Sequence, residues 1–289
     1  MDRTSSLHSD ITTRLAPISD TPALDASVLI SHILNKPRTW VLAHPETVLT
    51  QSQLGSLGTV VSRFENGEPL PYILGHWEFF GMDFEVTPDV LIPRPETELL
   101  VEKAIAWLQD TKNQSNIPGV ADIGTGSGAI AVSIAAHVPN VRIIATDISR
   151  NALKVAQRNS EKHDVSENIE FVACDLLPEK SSSANHEALI DLICANLPYI
   201  PTRELKNLPV YNREPTLALD GGEDGLDHFR KLMKISPEWL APNGLILLEI
   251  EATQGTETLS LAKEAFPEAH ISLHRDLAGK DRLVKISRR

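Results

Sequence analysis

Apolar residues recur at helical spacing through the first quarter of the chain. Leu24, Val28, Ile30, Ile33 and Leu34 form one such series, and Leu54, Leu57, Val60, Val61 and Phe64 form another. The punctuation around them agrees. Thr21-Pro22 offers a hydroxyl cap with Pro at the first helical position. Thr50-x-x-Gln53 has the spacing of a capping box, and Gly67 and Pro69 close the segment it opens. Asn35-Lys36-Pro37 and His44-Pro45-Glu46 read as connecting loops. Residues 1–75 are therefore expected to form a small helical bundle.

The pattern changes at residue 76. Residues 76–90 are rich in aromatic and β-forming side chains, broken by Gly81 and Pro88. A two-stranded ribbon over residues 76–92, linking two domains, is expected. From residue 93 to 289, helical and strand patterns alternate. Candidate strands cover 120–123, 141–146, 169–173, 189–195 and 244–251, with helices between them, as at 129–137 and 152–159. Such alternation implies an α/β domain built on a doubly wound parallel sheet. The tail differs: 270–275 and 281–286, joined by Ala278-Gly279-Lys280, predict an antiparallel hairpin at the sheet edge. Residues 178–187 read as a solvated loop, and no internal repeat is present.

Composition narrows the possibilities. A chain of 289 residues with 42% hydrophobic and 23% charged residues fits about two globular domains. No run approaches the ~20 apolar residues of a membrane span. The polar start Met1-Asp2-Arg3-Thr4-Ser5-Ser6 is unlike a secretory signal. With 39 acidic against 27 basic residues the net charge is −12, which disfavours stable binding to nucleic-acid backbones. Two cysteines, Cys174 and Cys194, exclude a disulfide framework and point to an intracellular, cytoplasmic protein. The histidines lack metal-ligand spacing, so no metal is expected.

The candidate chemistry sits at strand ends. Asp122-Ile123-Gly124-Thr125-Gly126-Ser127-Gly128-Ala129 follows the first strand of the alternating region and opens a helix. Its glycines allow a tight turn and close approach of a ligand to the following helix N-terminus. By itself the loop is ambiguous. It suits a nucleoside cofactor, a dinucleotide through the Gly126–Ala131 pattern, or a plain strand-to-helix turn. Asp147 ends the next strand, where a carboxylate can accept from both ribose hydroxyls or merely cap a helix. Asp175 ends the third, placed to accept from an adenine amino group, with Leu176 beside it to pack on the ring. All three features fall on the crevice where open α/β sheets bind ligands.

The fourth strand ends in Asn196-Leu197-Pro198-Tyr199. This stretch resembles the Asn-Pro-Pro-Tyr signature of S-adenosylmethionine (SAM)-dependent enzymes that methylate amide or exocyclic amino nitrogens. A planar amino group is a poor nucleophile. Two acceptors, the Asn side-chain oxygen and an adjacent backbone carbonyl, hold both of its N–H groups and favour the transition-state geometry. The aromatic ring packs on the planar group. Leu197 replaces the usual Pro and still supplies the carbonyl.

Further stretches extend the likeness: Leu24-Asp25-Ala26, Gly67-Glu68-Pro69, Tyr72-Ile73-Leu74-Gly75, and Leu91-Ile92-Pro93-Arg94-Pro95-Glu96-Thr97-Glu98. So do Glu214-Pro215, Ala218-Leu219-Asp220-Gly221-Gly222 and Gly279-Lys280-Asp281-Arg282. Over nearly its whole length the chain resembles the PrmC/HemK family, the peptide chain release factor glutamine N5-methyltransferases. The resemblance implies a class I SAM-dependent methyltransferase sheet with an antiparallel last strand, plus an N-terminal helical domain, residues 1–75, that recognises the protein substrate. It implies transfer of the SAM methyl group to the Gln of the Gly-Gly-Gln motif in class 1 release factors, with S-adenosylhomocysteine as product. Gly124, Thr125, Gly126, Ser127, Gly128, Asp147, Asp175, Leu176 and Asn196 are the implied cofactor positions. Asn196, Leu197, Pro198 and Tyr199 are the implied substrate positions, with Asn196, Pro198 and Tyr199 catalytic. The Arg94–Glu98 stretch would line the mouth of the site without an assigned role. No general base is evident, and the expected protein is a monomer free of membrane. The rivals are a non-catalytic protein-binding module keeping SAM as a structural ligand, against which the intact Asn196 argues, a nucleic-acid amino-methyltransferase acting on adenine or guanine, and an NAD-binding oxidoreductase. The last leaves Asn196 and Tyr199 idle.

Overall fold

The computed structural model describes residues 3–110, 117–178 and 189–288. The expected loop at 178–187 lies, from residue 179 on, outside the described residues. The chain separates into two compact units, Met1–Gly75 and His76–Arg289.

The first unit holds α1 (Thr4–Leu15), α2 (Pro22–Leu34), α3 (Arg38–Ala43), α4 (Gln51–Glu65) and α5 (Leu70–Leu74). Leu15, Leu29, Ile30 and Val61 are fully buried at its centre, each contributing about 1.5–3 kcal/mol by leaving water. The capping box at α4 is complete. Thr50 Oγ1 accepts from the Gln53 N–H at 3.2 Å, and Gln53 Oε1 accepts from the Thr50 N–H at 2.9 Å. The Thr21 hydroxyl, by contrast, does not cap α2. The Thr21 backbone, at φ −132° and ψ 52°, departs from the extended geometry a cap needs. Its N–H is held instead by Ser19 Oγ at 2.9 Å.

The second unit opens with an antiparallel ribbon of β1 (His76–Phe79) and β2 (Met82–Glu85). Its turn residues Phe80 and Gly81 have φ of 53° and 71°, the twist that suits a two-residue hairpin. The ribbon drives Phe79 and Phe84, both fully buried, into the same core as Leu100 of α6 (Glu98–Gln109).

Seven strands form the main sheet: β3 (Gly119–Ile123), β4 (Arg142–Asp147), β5 (Ile169–Ala173), β6 (Ile190–Ala195), β7 (Leu240–Glu249), β8 (His270–Arg275) and β9 (Asp281–Ser287). Their order is β5-β4-β3-β6-β7-β9-β8. The first five run parallel, and β9 inserts antiparallel between β7 and β8. Both faces are covered. Along β7, Leu245 and Leu247 enter one core with Val120 and Leu192, beneath α6 and α7 (Ala129–His137). Ile246 and Leu248 enter the other, beneath α10 (Asp227–Trp239) and α11 (Gly255–Ala265); α8 (Arg150–Lys162) and the short α9 (Thr202–Leu205) precede them in the chain. A strand buried on both faces reads as a continuous apolar run. Trp239 packs in the second core. β7 starts at Leu240, earlier than the expected 244, because the register with β6 shifts between the Ile190↔Leu240 and Leu192↔Leu245 pairs. That irregularity absorbs Pro242-Asn243-Gly244, where Asn243 adopts φ 63°.

From β3 the chain winds outward through β4 and β5 on one side and through β6 and β7 on the other. The crevice at the carboxyl ends of β3 and β6 is therefore the switch point at which such sheets bind ligands.

Candidate active site

One wall of the crevice is built around the loop after β3. Gly124, Gly126 and Gly128 all adopt positive φ, at 71°, 56° and 81°, which side-chain-bearing residues rarely tolerate. The N–H groups of Gly124 and Thr125 both donate to the Thr146 carbonyl at 2.9 Å. The Gly126 N–H donates to Asp147 Oδ2 at 2.9 Å, and the Ser149 N–H to Asp147 Oδ1 at 2.8 Å. Asp147 thus ties the β3 and β4 loops together. The cap of α8 (Arg150–Lys162) is Ser149, whose hydroxyl accepts from the Ala152 N–H at 3.2 Å. Burial raises the Asp147 pKa while the backbone donors pull it down. Each of its oxygens keeps a second lone pair for a hydroxyl donor.

Beneath this loop Asp122 is fully buried. Its Oδ2 accepts from Thr125 Oγ1 at 2.5 Å and from the Ala131 N–H at 3.1 Å. Its Oδ1 has no hydrogen-bond partner among the described residues, and burial pushes its pKa up to about 7. Asn159 of α8 holds the loop from behind. It donates to the Ser127 carbonyl at 2.9 Å and binds both backbone groups of Glu85 on the ribbon.

A cavity of about 290 Å³ opens here, lined by Gly124, Gly126, Asp147, Asp175, Leu176, Asn196, Leu197 and Pro198. Thr125, Ser127 and Gly128 are not on its wall. The Thr125 hydroxyl is spent on Asp122, and the Ser127 carbonyl on Asn159. A Cβ on Gly128 would lie 3.1 Å from that of Ala156, so this glycine serves close packing of α8. Leu176, at φ 64°, is held over the cavity by its carbonyl, which accepts from Thr146 Oγ1 at 2.5 Å. Asp175 is exposed, with Lys231 Nζ 3.5 Å away. Ile148, 57% exposed, adds an apolar wall that the sequence reading did not single out. Its signal was available: a bare apolar side chain directly after a strand-end carboxylate.

The facing wall is the segment after β6. Asn196, Leu197 and Pro198 border both the first cavity and a second of about 100 Å³, which adds Arg94 and Tyr199. The two spaces therefore meet at the Asn-x-Pro-Tyr motif. Asn196 Nδ2 donates to Thr97 Oγ1 at 3.0 Å. This leaves Oδ1 as the acceptor offered elsewhere. Leu197, 3% exposed, packs so that a Cβ on Gly124 would meet its Cδ2 at 3.2 Å. The Leu in place of Pro therefore seals the two walls together. Burial raises the Tyr199 pKa to about 12, keeping the phenol neutral.

Long-range contacts fix this segment. The Gln254 Nε2 donates to the Tyr199 carbonyl at 2.9 Å. Ile200 exchanges backbone bonds with Leu219 and Gly221 at 3.0 and 2.8 Å. A Cβ on Gly225 would lie 2.2 Å from the Tyr199 carbonyl oxygen, so only glycine fits there. Arg94 pairs with the buried carboxylate of Glu214, which also accepts from the Ile92 N–H at 3.1 Å. The Arg94 stretch is thus clamped beside the second cavity.

The chain matches known proteins over most of its length. Residues 7–75 match the family model of the PrmC N-terminal domain, and residues 120–208 match that of a methyltransferase domain. A release factor glutamine methyltransferase of Moorella thermoacetica is 40% identical over 93% of this chain and 92% of its own length. One from Coxiella burnetii is 38% identical over 95% of each chain. The chain belongs to the release factor glutamine methyltransferase family. The fold is that of class I SAM-dependent methyltransferases, and the chain is an enzyme of that class. A 16S rRNA N2 G1207 methyltransferase of T. thermophilus, solved with AdoMet and guanosine, shares it with a TM-score of 0.54. It is 16% identical, covering 74% of this chain and 50% of the other. Among the described residues no helix is long and apolar enough to cross a membrane.

Proposed function

We propose that this chain transfers the methyl group of SAM to the side-chain amide nitrogen (N5) of the Gln in the Gly-Gly-Gln loop of class 1 release factors, releasing S-adenosylhomocysteine. The observation that carries the reading is the meeting of the two cavities at Asn196, with its Nδ2 committed to Thr97. The 290 Å³ cavity suits SAM: a glycine loop without side-chain bulk, a carboxylate with lone pairs to spare at Asp147, and apolar Ile148 and Leu176. SAM supplies an electrophilic methyl on a sulfonium.

The protein's own residues supply position. Asn196 Oδ1 and the Leu197 carbonyl accept the two amide N–H groups. They steer the nitrogen lone pair toward the first cavity and strengthen as the nitrogen pyramidalises. Pro198 and Tyr199 pack on the amide plane, and the neutral Tyr199 adds no charge against it. No covalent enzyme intermediate is required, and the amide proton leaves after transfer. Residues 1–75 serve recognition of the bulky protein substrate, using binding energy remote from the reacting atoms. A Gly-Gly-Gln peptide should therefore be a much poorer substrate than the intact release factor. The net charge of −12 weighs against a nucleic-acid substrate.

The test is mass spectrometry of a release factor before and after incubation with the protein and SAM. A gain of one methyl group on the Gly-Gly-Gln glutamine is expected. An unmodified glutamine, or a methyl group found on added RNA or DNA instead, overturns the reading.

A further inference from the structure

Glu249, the last residue of β7, is 1% exposed. It was not part of any sequence motif. The parallel pairing of Ala195 with Leu248 brings the next residues on each strand, Asn196 and Glu249, side by side. Neither carboxylate oxygen of Glu249 meets hydrogen-bond geometry with any described residue. Yet the Thr97 and Asn196 side chains lie close enough to lower its pKa. An unspent, buried acceptor pair therefore sits directly behind the Thr97–Asn196 contact.

The polarity of that contact matters. A carboxamide turned over by 180° would present N–H groups to an incoming amide N–H₂, donor against donor. Thr97 alone cannot prevent this, because its hydroxyl can donate or accept. A carboxylate only accepts. If the Thr97 hydroxyl donates to Glu249, its oxygen must receive from Asn196, and the Asn196 oxygen is left for the substrate. We infer that Glu249 is a positioning residue that sets the direction of the Thr97–Asn196 hydrogen bond and so keeps Asn196 Oδ1 turned to the substrate amide. The inference rests on the proposed reaction.

Titratable groups from three neighbouring elements face Glu249. Arg282 on β9 favours the carboxylate, Glu96 on the 95–97 turn opposes it, and Tyr199 stands beside it. Burial pushes its pKa up to about 7 against the pull of Thr97 and Arg282.

The experiment is steady-state kinetics with SAM and an intact release factor. Assayed above the Glu249 pKa of about 7, where the group is a carboxylate, Glu249→Gln replaces an acceptor-only group with one that can donate. It should lower kcat tenfold or more, leave the KM for SAM within twofold and preserve the melting temperature. In an Asn196→Ala background the same substitution should change kcat less than twofold, because there is no carboxamide left to orient. Thr97→Val, a second near-isosteric break in the chain, should also cost tenfold. If Glu249→Gln retains more than half of kcat, or costs tenfold in the Asn196→Ala background as well, the positioning role is overturned. Should Glu249→Gln fail to fold, a Thr97→Val variant with unchanged kcat overturns it. A wild-type enzyme that leaves the glutamine unmethylated overturns the proposed function. An active wild type with an unaffected Glu249→Gln overturns this inference alone.

Discussion

The wall after β3 and β4 and the wall after β6 face one crevice but are held by different means. On the first, the contacts that pin the Gly124–Gly126 turn come from the next strand end, 21 residues on for Gly126 and Asp147, and use backbone N–H groups. Gly124, Thr125 and Gly126 are pinned by Thr146 and Asp147, and Asp147 by Ser149. On the second, beside the backbone bonds of Ile200, the contacts that aim the motif are made by side chains across far longer stretches of chain. Asn196 and Thr97 are 99 residues apart, Arg94 and Glu214 120, and Gln254 and Tyr199 55. A wall made of backbone turns can be specified by a few glycines and one carboxylate. A wall that must aim one carboxamide needs partners behind it, and a parallel sheet recruits those from remote parts of the chain.

The comparison can be broken by substitutions that hit one wall alone. Asn196→Ala removes the amide acceptor and nothing from the first wall. Turnover should fall ~100-fold or more, the scale of a lost preorganised transition-state hydrogen bond, while SAM affinity measured by calorimetry stays near normal. A variant retaining a third of the rate would sink the amide-clamp mechanism.

Glycines on the two walls sharpen the contrast. Gly225→Ala forces a Cβ to 2.2 Å from the Tyr199 carbonyl oxygen at φ 81°. The β6 wall must shift, costing about 2 kcal/mol or more in thermal unfolding and lowering kcat. Gly126→Ala meets nothing nearer than 4.0 Å, so only the left-handed backbone is strained, at about 1–2 kcal/mol. Melting curves showing Gly126→Ala as the more damaging change would reverse the picture.

Asp147→Ala should weaken SAM binding tenfold or more, since hydrogen bonds to a charged group contribute ~1.5–3 kcal/mol each. The effect should appear as a raised Kd and KM for SAM with the release-factor KM little changed. An unchanged Kd removes Asp147 from the cofactor site.

The smallest effect is one of pH. Asp122 has a folded pKa of about 7, raised by burial, so the folded state holds its proton where the unfolded chain has lost it. Stability should then decline as pH rises from about 4 to about 7 and level off above. Asp122→Asn keeps an acceptor for Thr125 and Ala131 but removes the titration. It should flatten that decline in melting temperature, and an unaltered slope would show that Asp122 does not titrate in this range.

Much of the first wall is legible in the sequence. Gly124, Gly126, Asp147, Asp175 and Leu176 were placed at consecutive strand ends, and the structure gathers them on one cavity. Within the same loop, Thr125, Ser127 and Gly128 face Asp122 and α8 instead of the cavity, which spacing alone does not reveal. On the second wall the motif Asn196-Leu197-Pro198-Tyr199 was legible and its supports were not. Thr97 was one residue in a stretch without a role, and Glu249 was simply the end of an apolar strand.

The sequence by itself determined the elements and the chemistry each can carry. Helical and strand periodicity follow from side-chain alternation over a few residues. The glycine loop and the Asn-x-Pro-Tyr turn are likewise local, as is the antiparallel tail hairpin. Only the tertiary structure decided which way the chemistry points. It set β6 beside β7, so that Asn196 lies next to a buried carboxylate 53 positions later in the chain. It also brought Thr97 to Asn196 across 99 residues and Glu214 to Arg94 across 120. The reason is physical: periodicity reports which face of an element is buried, whereas the partner across that face is chosen by strand order and register.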